Sequence, residues 1–179
     1  MTLQTWLAKT PIAVRKAFIG AVNLYPPFVG AGIRITAVAP DMSAFDVELR
    51  PRPWNRNLGG AHLGGSIYAM CDPFFRIALI SQLGPDYLVW DKTARIDFRR
   101  PGRGTVYARF AVSPAQVTEI RAQVAHGGKC EPTFHADVLG PAGEVVATVH
   151  KHLWVKKKVA AVRPSAQPQT EPHHARSTP

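Results

Sequence analysis

The sequence predicts an α+β fold, a curved antiparallel sheet wrapped around one long central helix. Three observations carry this. Ser66 to Leu83 forms a long, strongly apolar stretch with helical character. Strand-like segments with period-two alternation lie on both sides of it. The connections between those segments are hairpin-length, too short for the crossovers of a parallel sheet.

The elements follow in order. Thr10-Pro11 suits a helix start, with Thr as N-cap and Pro in the first turn. Val14, Phe18, Ala21, Val22 and Tyr25 recur at helical spacing, so a helix is expected over 11–25, ended by Pro26-Pro27. Ile33–Val38 and Phe45–Leu49 read as strands around a turn at Pro40-Asp41. Arg50-Pro51-Arg52-Pro53 cannot continue a central strand, because each Pro removes a ladder donor. The stretch from Asn55 to Gly84 then runs a glycine-rich loop into a helix apolar on nearly every side, which must be enclosed by protein, and Gly84-Pro85 stops it. Within it, Pro73 should remove the hydrogen bond to the Ala69 carbonyl and kink the helix.

Beyond that helix, Trp90, Ala94, Ile96 and Phe98 alternate with polar residues as in a half-buried strand, and Val106 to Val112 repeats the pattern after the turn PGRG. Ser113-Pro114-Ala115-Gln116 resembles a capping box opening one helical turn, before a strand through Val124. Phe134–Leu139 and Val145–Val155 form a last hairpin around Gly140-Pro141-Ala142-Gly143. Residues 1–158 thus read as one domain. The tail over 159–179 is rich in Pro, Ser, Gln, Thr and His, without large apolar residues, and predicts disorder.

Composition narrows the function classes. The chain has 179 residues, with 22 Lys and Arg against 12 Asp and Glu, a formal net charge of +10. That balance favours anionic partners such as a phosphate-bearing substrate, a membrane surface or nucleic acid. Cys71 and Cys130 stand in no ligand-spaced cluster and read as reduced, buried thiols of a cytoplasmic protein. Lys9, Arg15 and Lys16 interrupt the first apolar stretch, against a secretory signal. Asp72, Pro73 and Arg76 interrupt the Ser66–Leu83 run, so no membrane insertion is expected.

The order of elements and the residues around the central helix resemble the hotdog-fold thioesterase superfamily over roughly residues 12–157. Phenylacetyl-CoA-type members carry an Asn, a short loop, His-Gly-Gly and an Asp inside the helix; Asn57, Gly64, Gly65 and Asp72 fall at matching spacing. CDPFF, LGPDYLVWDK, IDFRRPGRG and GEVVATVHKHLWVKKK are similar to a branch labelled a domain of unknown function or a tetrameric acyl-CoA thioesterase. One position departs. Where relatives have His directly before Gly-Gly, this chain has Leu63, with His62 one position earlier.

The resemblance implies acyl-CoA hydrolysis at a site between two subunits of a homodimer or homotetramer. Free N–H groups at Gly64-Gly65 would bind the thioester oxygen, since glycine lets substrate approach the backbone; the same glycines also suit a plain tight turn. Asp72, a carboxylate in an apolar helix, is a general base or nucleophile, or else a structural pair with Arg76 at i+4. Asn57 orients water or closes the loop. His62 assists as a base or donor, or is an ordinary loop histidine. Arg99, Arg100 and Arg103 flank the turn that in relatives lies near the nucleotide end of coenzyme A, where guanidinium groups suit phosphates, or form a solvated basic turn. Lys92, on the face of Trp90 and Ala94, suits pairing with an acid.

No cofactor is expected, and no metal site: His150 and His152 share a strand face, and His173-His174 are adjacent, but no ligand cluster accompanies them. The rivals are a hotdog protein that binds acyl-CoA or lipid without turning it over, favoured by Leu63, and a basic nucleic-acid-binding domain, suggested by net charge and Lys156–Lys158. The latter lacks a zinc-finger, helix-turn-helix or ribonucleoprotein motif, so no nucleic acid is expected. A hydratase is weakened by the missing Asp/His pairing in the central loop.

Overall fold

Alternating apolar and polar side chains build strands β1 (Ile33–Val38), β2 (Ala44–Leu49), β3 (Tyr87–Phe98), β4 (Val106–Ala111), β5 (Lys129–Cys130), β6 (Thr133–Leu139) and β7 (Val145–Lys157). A computed structural model describes residues 17, 20–125 and 128–158. The strands form one antiparallel sheet in the order β1-β2-β4-β6-β7-β3, with β5 pairing the end of β7 beyond β6. β1 and β3 are therefore its edges.

The helices with both ends among the described residues are α1 (Pro26–Ala31), α2 (Gly64–Cys71), α3 (Phe74–Leu83) and α4 (Pro114–Val124). The α2–α3 pair packs into the curve of the sheet. Ile67, Met70, Cys71, Phe74, Phe75, Ala78 and Leu79 join the inward residues of β2, β4, β6 and β7 in the core. Phe74 and Phe110 stack at 5.2 Å, as do Phe75 and Phe134, which ties α3 to the middle strands.

Where a kink was expected at Pro73, the helix is divided in two. Asp72 is the C-cap of α2 and Pro73 the N-cap of α3, and the Asp72 amide donates to the Ala69 carbonyl at 3.4 Å. Both residues keep right-handed helical dihedrals, so the chain direction continues through the break.

Several expectations are corrected. The first helical run ends at Val22, ahead of Pro26-Pro27, and the two prolines instead occupy the first turn of α1, where their missing N–H groups are no loss. Most of the helix expected over 11–25 lies outside the described residues, as does the tail over 159–179. The Ser113/Gln116 capping box is present, with Gln116 N donating to Ser113 Oγ and Ser113 N to Gln116 Oε1. It opens eleven residues of helix rather than one turn and a strand, because Val117, Ile120 and Val124 bury at helical spacing. In β3 a register shift between Asp91 and Thr93 breaks the expected alternation: Ala94 pairs Lys151 on the inward face, while Trp90 pairs Trp154 on the outward face. Finally, α2–α3 is not enclosed by its own chain. Gly65 and Asp72 are exposed, and Tyr68, Ala69, Ile77 and Ile80 are only partly buried.

Candidate functional site

The site residues fall into two groups along the α2–α3 pair. The first surrounds the start of α2. Leu63 is the N-cap without a side-chain cap bond, and the Gly64 and Gly65 N–H groups meet no acceptor among the described residues. The Phe98 ring lies against Gly64, where an added Cβ would come within 3.2 Å of it; at Gly65 a Cβ would meet nothing within 4 Å.

Asn57 closes the preceding loop. Its Oδ1 accepts from the Ala61 amide at 3.1 Å, its own amide donates to Ala61 O, and its carbonyl accepts from Gly60. Gly60 is at φ 74, a conformation that favours glycine. Asn55, which sequence reasoning passed over, is the buried asparagine: it bonds Ala31 O, Arg50 O and Arg52 N, and its carbonyl accepts from Leu63. A polar residue between Trp54 and Arg56 carried no signal of that burial.

His62 is buried, and it clips the glycine loop to the basic turn. Its amide donates to Gly102 O at 2.9 Å and its Nε2 donates to Gly104 O at 2.7 Å. A carbonyl only accepts, so Nε2 carries the proton and Nδ1 is a lone pair, enclosed without a partner among the described residues. Burial pushes the imidazole below its ordinary range, against the opposing effect of the Gly104 carbonyl. Arg99 and Arg100 donate their amides to Val146 O, while their side chains and that of Arg103 are exposed. None of the three forms an ion pair among the described residues. Phe98 on Gly64, and Gly102 against His62 and Ile67, set this turn beside the start of α2.

The second group surrounds the break between the helices. The Asp72 side chain is 52% exposed, not buried, and its partner is not Arg76. Lys151 Nζ, 1% exposed, donates to Asp72 Oδ1 at 2.9 Å and lies 2.8 Å from Asp91 Oδ1. Arg76 turns instead to β3, donating to Val89 O, standing 3.9 Å from Asp91 Oδ2 and covering Trp90. Burial opposes the Lys151 charge, but the two aspartates outweigh it and hold the ammonium above the ordinary lysine range. Cys71, beside Asp72 in sequence, is a free thiol whose pKa burial pushes up to about 12.

Sequence reasoning missed Lys151 and Asp91. A signal was present: Ala147, Val149, Leu153 and Val155 share one phase of β7, and Lys151 is on it. From Gly64 to Asp72 the helix advances by about 12 Å, so one chain does not place both against the same thioester.

The remaining candidates stand elsewhere. Lys92 pairs with Glu131 at 2.7 Å. His150 faces Asp97, and His152 faces Glu131, each at 3.7 Å on the outward sheet face. No group of three or more His, Cys, Asp or Glu able to hold a metal occurs among the described residues. A cleft of about 300 Å³ between α4 and the start of β6, lined by Gln116, Glu119, Gln123 and Glu131 among others, includes none of the site residues. Among the described residues no helix is long and apolar enough to cross a membrane.

Comparisons with known proteins place these observations. No curated protein matches the chain in sequence. Among solved structures, a Pseudomonas aeruginosa protein of unknown function described as a probable thioesterase superposes with a TM-score of 0.70 at 15% identity, covering 83% of this chain and 97% of that one. A thioesterase from Haemophilus influenzae reaches 0.59 at 14% identity over 88% and 100% of the two chains. A mutant of the phenylacetic acid degradation protein of Thermus thermophilus reaches 0.51 at 24% identity over 72% and 97%. These likenesses establish the fold as the hotdog fold. The model of the DUF4442 family, a domain of unknown function, matches residues 15–155, and the chain belongs to that family.

Proposed function

We propose that the protein hydrolyses the thioester of an acyl-CoA, with a medium or long chain or an aromatic acyl group, at a site shared by two copies of the chain. The observation that carries this reading is Asp72: a half-exposed carboxylate at the break in the central helix, with Oδ1 held by a buried lysine. In this reading the Gly64-Gly65 N–H groups of one copy bind the thioester oxygen, and Asp72 of the other acts on the carbonyl carbon. The separation of about 12 Å along one helix supports dividing the work this way. So does the partly exposed face of α2–α3, a surface that a second copy would cover.

As general base, Asp72 takes a proton from water as the hydroxyl adds to the carbonyl; collapse of the tetrahedral oxyanion then expels the coenzyme A thiolate. As nucleophile it would first displace the coenzyme A thiolate, breaking the thioester bond to form a mixed anhydride, which water opens to the free acid and the carboxylate. Arg99, Arg100 and Arg103, beside the start of α2 and without ion pairs among the described residues, suit the phosphates of coenzyme A.

The test is thiol release across a panel of acyl-CoAs. Asp72→Asn should lower kcat by a hundredfold or more, within the range typical for general acid–base groups, with the fold retained and the melting temperature lowered by the loss of one of the two carboxylates that compensate Lys151. Undiminished turnover in the folded variant removes Asp72 from the mechanism. A second reading, an acyl-CoA-binding protein without turnover, is favoured by one observation: Leu63 stands where relatives have His, and His62 is committed to Gly104. Saturable acyl-CoA binding with no thiol release would establish it.

A further inference from the structure

Lys151 occupies an inward position on β7 between Val149 and Leu153, among side chains that are fully buried. A lysine there needs compensation, and two carboxylates supply it: Asp72 at the end of α2 and Asp91 at the register shift of the edge strand β3. Asp72 Oδ1 is taken by the ammonium, whereas Oδ2 has no hydrogen-bond partner among the described residues. We propose that Lys151 is a positioning residue for Asp72, holding Oδ1 so that Oδ2 faces the attacking water or thioester, and sharing its charge with Asp91.

This rests on the reading of Asp72 as the acting carboxylate. The groups facing Asp72 are Lys151 from β7, Asp91 from β3 beyond it, Arg76 from α3 turned toward Asp91, and the neighbouring Cys71, uncharged at neutral pH. One cation therefore stands between two anions. Removing it leaves two carboxylates facing one another, with no donor for Asp72 Oδ1. Removing Asp91 alone leaves the ammonium to Asp72.

The experiment reads kcat and KM for thiol release from an acyl-CoA, beside the carboxyl-carbon NMR signal of Asp72 at neutral pH. Lys151→Met should lower kcat at least tenfold with little change in KM, a split that a mere packing defect would not give, and should move the Asp72 signal as Oδ1 loses its donor. Asp91→Asn keeps the buried lysine and carries the test should Lys151→Met fail to fold; it leaves the ammonium to Asp72 alone, so kcat should change with KM nearly constant and the Asp72 signal should move. An Asp72 signal and a kcat that change in neither Lys151→Met nor Asp91→Asn overturn the proposal. Wild-type protein that releases no thiol from any acyl-CoA overturns the hydrolytic reading instead, and the Asp72 signal still decides the role of Lys151.

Discussion

Gly65 separates substrate approach from simple turn-making. It is exposed in the first turn of α2, its φ is not in the left-handed region, and an added Cβ meets nothing within 4 Å among the described residues. Gly65→Ala should therefore stabilise the fold by up to about 1 kcal/mol through helix propensity. If the thioester lies against that backbone, the same methyl group should cut kcat/KM at least tenfold. Equal activity with a higher melting temperature would leave Gly65 as a turn residue. His62 makes a different prediction. Its folded pKa is depressed, so its contribution is intact above the ordinary histidine pKa of about 6.5 and is lost as pH falls through the folded value. Urea denaturation across pH 5 to 8 should show stability dropping below pH 6.5, and His62→Gln should flatten that slope. At this scale the sequence was legible where spacing alone decides. The Gly64-Gly65 turn opens α2, as its place before the apolar run suggested. Lys151 was not legible, because a strand lysine is ordinarily turned outward, and only the phase of Val149 and Leu153 says otherwise.

Local chemistry predicts where elements begin better than how far they run. The Ser113/Gln116 box marked the start of α4, but its length depended on Val117, Ile120 and Val124 meeting the sheet and α3, contacts made by distant residues. Likewise Pro73 broke the helix as proline chemistry requires, whereas the exposure of Asp72 followed from where the sheet stops covering it. The turn from Arg99 to Arg103 gives the test at this scale. Replacing Arg99, Arg100 and Arg103 together by Ala should raise KM for an acyl-CoA at least tenfold, with a smaller change in kcat. A thioester on an uncharged pantetheine-like thiol lacks the nucleotide phosphates and should change far less. Equal effects on both substrates would show that the turn does not read phosphate. Tighter binding of random DNA than of acyl-CoA by wild-type protein would favour the nucleic-acid rival.

For the whole molecule, the antiparallel sheet around a central helix was legible because period-two strands and one long apolar helix leave few arrangements open. The edges were not, since strand order depends on which segments meet. β3 is the longest consequence of that order: twelve residues paired only with β7, carrying exposed Trp90 and Phe98. In an antiparallel edge strand successive amides point alternately toward the neighbour and away from it. A lone chain should therefore exchange its β3 amide hydrogens for deuterium in two interleaved sets, every second position slow and the others fast. Strand pairing with a second copy would protect the fast set too. The interleaving should then vanish as protein concentration rises past the dissociation constant, while the exchange of β2, covered by β1 and β4 in the same chain, stays as it was. Persistence of the two sets at every concentration would mean that this edge remains open to water.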